Sequence, residues 1–165
     1  MNHSFLRRIV PLTLAAAFCA VPALKAAADT VLPEVGPKVM GYYQGPDLGT
    51  LRVYTATEAY DDGELNYYPH TSYTVYRADG SVALFVRNHL GNNDESPETV
   101  QLPAGKYRVK ADSESDGRVI VPVVVKGGHT TVVSLEKGRE SDQQDVASAM
   151  AVKSPSGQVV GWRAK

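Results

Sequence analysis

From residue 99 to residue 135, apolar and polar positions alternate with a period of two, interrupted by turns that contain glycine. Residues 106–111 alternate most cleanly. Tyr107, Val109 and Ala111 share one face, and Arg108 and Lys110 share the other. This period belongs to a strand with one buried face. The stretch reads as two consecutive β-hairpins. The first is 99–102 and 106–111 around Pro103-Ala104-Gly105, where proline presets φ and glycine tolerates a positive φ. The second is 118–125 and 129–135 around Lys126-Gly127-Gly128. Residues 118–125 are apolar on both faces, as expected of a central strand covered from two sides. Pro122, which cannot donate to a ladder, marks an edge or a bulge there.

Upstream, residues 50–60 form a first expected strand, ended by Asp61-Asp62-Gly63. Residues 71–77 form a second. Ala78-Asp79-Gly80 is a tight turn, and residues 81–88 answer with Val82, Leu84 and Val86 on one face. Residues 89–97 read as a polar loop. Strands every 8 to 12 residues or so, without a long helical period between them, indicate a β-sandwich or barrel.

The two ends differ from this middle. Residues 1–28 join Arg7 and Arg8 to an apolar run and then to Ala26-Ala27-Ala28. That order is a secretory signal, with cleavage expected before Asp29. The run carries Pro11 and Pro22 and is shorter than the roughly 20 apolar residues a span requires. Residues 29–48 are rich in Pro and Gly and read as an extended arm. The sandwich is expected over 49–135. A charged, flexible linker is expected over 136–148, followed over 149–165 by a flexible, loosely attached tail or by a hairpin docked through Trp162.

The segment Leu102-Pro103-Ala104-Gly105-Lys106-Tyr107-Arg108-Val109, followed by Lys126-Gly127-Gly128-His129-Thr130-Thr131-Val132-Val133, resembles the carboxypeptidase regulatory-like, transthyretin-like domains. The resemblance covers about residues 49–135, and its motifs specify turns and strand faces. It implies a single antiparallel β-sandwich of about seven strands, transthyretin-like or Ig-like in type. It also implies a non-catalytic accessory or binding module. The front of the chain departs from the pattern, because residues 50–60 lack the Gly-rich opening strand.

Charge changes the picture modestly. Removing Arg7, Arg8 and Lys25 with the signal leaves 14 basic against 18 acidic residues, a net −4. No basic stripe remains to neutralise phosphates, so nucleic acid is not an expected partner. The only cysteine, Cys19, leaves with the signal, and stability then rests on the core without disulfides. No cofactor is indicated. No further segment is long and apolar enough to span a membrane after signal cleavage.

Tyrosine is the one unusual abundance, with nine in the chain. Tyr60, Tyr67, Tyr68, Tyr73 and Tyr76 crowd one segment around Pro69 and His70. Tyrosine offers an amphipathic contact surface for protein or sugar, and it also fills strands. If residues 67 and 68 are extended, their rings face opposite sides and at least one is exposed. Tyr60, Tyr67, Tyr68, His70, Tyr73 and Tyr76 are therefore the candidate ligand-binding residues, with a protein or glycan of the cell envelope as partner.

Three weaker signals remain. Asp112, Glu114 and Asp116 alternate before Gly117, like the opening of a calcium loop, but the twelfth position is Val123 rather than a bidentate Glu. A solvated hairpin turn is the favoured reading. His89, Asp94 and Glu95 share one polar loop and are the nearest thing to an acid/base or ligand cluster; His129 opens a strand. No Gly-x-Ser-x-Gly elbow is present, so a hydrolase is the least favoured class. A structural role is the alternative, in which the arm or the Trp162 tail adds to a neighbouring sheet edge.

Overall fold

The structure, a computed structural model, describes residues 29–40, 47–138 and 150–164, with the backbone alone for 37–40. The expected signal and most of the expected linker lie outside the described residues.

The chain is all-β, with no helix among its described elements. The arm supplies β1 (Thr30–Val31) and β2 (Pro37–Met40). Then follow β3 (Leu48–Tyr54), β4 (Tyr60–Asp61), β5 (Asn66–Tyr67), β6 (Tyr73–Arg77) and β7 (Val82–Val86). The next four strands are β8 (Thr99–Pro103), β9 (Gly105–Ser113), β10 (Gly117–Val125) and β11 (His129–Ser134). A terminal hairpin comprises β12 (Ala151–Lys153) and β13 (Val159–Trp162). A five-stranded sheet runs β1-β10-β9-β6-β7 and a four-stranded sheet β2-β11-β3-β8. Val75, Val109, Val119, Val121 and Val123 of the first sheet join Leu51, Val53, Leu102 and Val133 of the second in one buried cluster. This arrangement is consistent with a β-sandwich.

Neither expected hairpin of residues 99–135 forms: β8 and β9 lie in different sheets, as do β10 and β11, and the strands that pair antiparallel are β9 and β10, across the turn at 114–116. β9 buries Val109 and Ala111 and exposes Lys106 and Arg108, as the alternation predicts. Four further expectations need correction. First, the two larger sheets hold nine strands rather than about seven, because the arm contributes two. Leu32 and Val35 are apolar and insert into the core, while Pro33 and Pro37 keep the arm's ladders short. Second, the sheets are mixed rather than antiparallel, since β1 runs parallel to β10 and β11 parallel to β3. Third, the first strand stops at Tyr54. There the chain changes partners: Ala56 N donates to Asp112 O (2.8 Å) and Thr71 N to Ala56 O (2.9 Å). Fourth, the C-terminal piece is no loose tail. Val152, Val160 and Trp162 are buried, and Gly36 N donates to Trp162 O (2.7 Å).

β10 is covered on one face only. Val119, Val121, Val123 and Val125 are buried, whereas Ile120, Pro122 and Val124 are half-buried, because the arm lies beside the strand rather than over it. Pro122 sits where that arrangement tolerates it. Its carbonyl accepts from Val35 N (2.7 Å), so its nitrogen faces the same side, where residues 32–34 leave the ladder and ask for no donor.

Candidate binding surface

The six candidate residues do not form one surface. β4 and β5 make a separate two-residue ladder in which Tyr60 and Tyr67 stand opposite each other. Asp61 and Asp62 shape its turn: Asp61 accepts from Gly63 N (2.8 Å), and Asp62 accepts from Leu65 N (2.8 Å) and Glu64 N (3.0 Å). These backbone donors hold the Asp62 carboxyl below its usual range. Desolvation and then the Asp62 charge push the Tyr67 phenol up. Tyr60 is 38% exposed, Tyr68 51% and Leu65 60%, so the hairpin presents aromatic and apolar surface to solvent. Glu95 fixes its exit by accepting from Tyr68 N (2.8 Å).

His70 and Tyr73 belong to the interior. His70 is buried; its Nδ1 bonds Thr55 O (2.9 Å), and its ring meets Tyr54 edge-on with centroids 5.7 Å apart. Tyr73 is buried with its hydroxyl unpartnered, and burial, followed by the Glu98 charge, pushes its phenol well above the ordinary range. Neither can meet a ligand at the surface, and this corrects their placement among the binding residues. Tyr76 lies on the other sheet face of β6, directly opposite Arg108 of β9. With Gly80, Lys110 and Ile120 these two line a depression of about 250 Å³.

The acidic turn is a clamp. Asp112 pairs with Arg118 (2.9 Å). Glu114 accepts from Thr57 Oγ1 (2.8 Å) and Lys137 N (2.8 Å). Asp116 accepts from Ser156 N (3.0 Å) and Ser156 Oγ (2.9 Å). Burial alone raises both the Glu114 and the Asp116 pKa, but the donors around them outweigh it and hold each carboxyl below its usual range. Their oxygens point to four different neighbours rather than to a common centre. Among the described residues no three His, Cys, Asp or Glu groups converge as metal ligands.

His89, Asp94 and Glu95 are likewise engaged with backbone. His89 Nδ1 bonds His70 O (2.8 Å), and Asp94 accepts from Leu90 N (2.9 Å) and Ser96 N (3.0 Å), which lowers its pKa. His129 Nδ1 bonds Gly127 O (2.7 Å). An open groove of about 350 Å³ runs between the edge strands β7 and β8, flanked by exposed Phe85 and Leu90. Sequence reasoning missed the Tyr76–Arg108 depression. The outward pair Arg108 and Lys110 was its visible half; the cross-strand register that brings Tyr76 and Ile120 beside them was not.

Among the described residues no helix is long and apolar enough to cross a membrane. Compared with family models, curated proteins and solved structures, the chain matches none.

Proposed function

We propose that the protein is an exported, non-catalytic β-sandwich module of the transthyretin-like type that binds a protein or glycan of the cell envelope. The observation that carries this reading is the β4–β5 hairpin. It exposes Tyr60, Leu65 and Tyr68 and is braced at its exit by the Glu95 contact. Exposed tyrosines offer large contact area at low conformational cost, and a braced hairpin has little further entropy to lose on binding. Export rests on the pattern of residues 1–28. The non-catalytic reading is supported by the hydrogen bonds of His89, Asp94 and Glu95, which go to backbone groups.

Assembly by strand donation is the second reading, and the β7 edge with its exposed Val82 and Phe85 favours it. The arm and the Trp162 hairpin are already paired within the chain. Thermal unfolding against peptidoglycan fragments and envelope glycans tests the hairpin reading, because a ligand bound only to the native state raises the midpoint by mass action. The expected result is a saturable rise that Tyr60→Ala/Tyr68→Ala abolishes while the ligand-free midpoint stays put. A rise that survives the double substitution overturns the assignment to this hairpin.

A further inference from the structure

On the outer face of the five-stranded sheet β9 and β10 carry a row of four cations, of which three are paired among the described residues. β9 alternates, so Lys106, Arg108 and Lys110 share the face opposite the buried Val109 and Ala111. Lys106 pairs with Glu34 (3.2 Å), Lys110 with Asp29 (2.5 Å) and, on β10, Arg118 with Asp112 (2.9 Å). Arg108 is exposed and makes no hydrogen bond or ion pair among the described residues. Its guanidinium lies beside Gly80, where an added Cβ would be 3.6 Å from Nη2. The depression lined by Tyr76, Arg108, Lys110 and Ile120 therefore holds one unmatched positive charge, an aromatic ring and an aliphatic floor.

We propose that this depression binds a single carboxylate-bearing sugar ring of the uronic acid class. The guanidinium fork matches a carboxylate in bidentate fashion. One unmatched charge balances a monoanion, whereas a phosphate dianion would leave net negative charge in the site. Tyr76 and Ile120 supply apolar surface for the C–H face of a pyranose. The volume, about 250 Å³, falls below the roughly 300 Å³ at which sites for larger small molecules begin, and so suits one ring rather than a long oligosaccharide. The site is separate from the β4–β5 hairpin and stands or falls independently of it.

Calorimetric titration of the purified protein with digalacturonate, one uronate ring of which occupies the depression while the other stays in solvent, tests the proposal, with galactobiose, inorganic phosphate and N-acetylalanine as parallel arms. The expected result is saturable binding of digalacturonate alone. Arg108→Gln weakens it about tenfold or more, since the bidentate charged contact is lost. Arg108→Lys is intermediate, because it keeps the charge and loses the fork, and Tyr60→Ala/Tyr68→Ala leaves it unchanged. Midpoints of unfolding for the Arg108 variants should match the parent, the side chain being exposed. Equal binding by Arg108→Gln, or no binding of digalacturonate, overturns the proposal. Comparable binding of phosphate, of the neutral disaccharide or of N-acetylalanine also overturns it, in favour of a phosphate, a neutral glycan or a peptide carboxylate respectively.

Discussion

Asn88 is buried, and its side chain closes a gap between strand ends. Its Nδ2 donates to Val53 O (2.9 Å) and Thr55 Oγ1 (3.2 Å), and its Oδ1 accepts from Glu98 N (2.9 Å). Thr55 Oγ1 in turn donates to Thr71 O (2.8 Å). Asn88→Ala removes the partners of these backbone groups and should destabilise the protein by about 3 kcal/mol. A denaturant midpoint unchanged within error would show that the network is dispensable. Tyr73 presents the opposite case. Its buried hydroxyl has no partner among the described residues, so it carries a desolvation penalty without a compensating bond. Tyr73→Phe keeps the ring in the core and should stabilise by about 1 kcal/mol. A loss of stability in that variant would mean that the hydroxyl does find a donor or acceptor.

The C-terminal hairpin is held at both ends by identifiable contacts. Trp162 and Val160 bury their side chains, and Gly161 fits against Val35, where an added Cβ would sit 2.5 Å from Cγ1. Gly161→Val should therefore lower stability by about 3 kcal/mol through overpacking. At the turn end Asp116 accepts from Ser156 N and Ser156 Oγ. Its folded pKa is depressed, so its contribution is fully present above the unfolded value near pH 4. That contribution is lost as pH falls through the lower folded pKa. Trp162 is the chain's single tryptophan and reports directly on the docked hairpin. Its fluorescence should shift to the red as pH falls below about 4, and in Asp116→Asn the shift should begin from an already loosened hairpin and depend less on pH. Identical acid titrations for the two proteins would remove Asp116 from the explanation.

At the scale of the whole molecule, local pattern and long-range pairing contributed unequally to what the sequence made legible. The alternation of Tyr107, Val109 and Ala111 against Arg108 and Lys110 is a property of one strand, and it survived unchanged. The Asp79-Gly80 turn is equally local, with Gly80 at φ 89°. The docking of the arm was illegible because Leu32 and Val35 show no period; their burial depends on β10, some 90 residues further along. The candidate site was split for the same reason. Clustering in sequence put His70 and Tyr73 beside Tyr68, yet the chain turns inward at Pro69, and the residues that complete the Tyr76 depression come from β9 and β10.

That dependence on distant partners has a thermodynamic consequence. Val35 of the arm, Val133 of β11 and Val160 of the terminal hairpin belong to one buried cluster, so no terminal piece owns a core of its own. Denaturant unfolding followed by Trp162 fluorescence, which reports on the hairpin, and by far-ultraviolet circular dichroism, which reports on all the strands, should give coincident transitions. If the fluorescence change came first, the hairpin would be a separately melting unit. The contacts of Gly36 with Trp162 and of Val35 with Gly161 would then be too weak to couple it to the sandwich. Coincidence is the expected outcome, because undocking the hairpin exposes Trp162 and Val160 and uncovers Val35 in the same step.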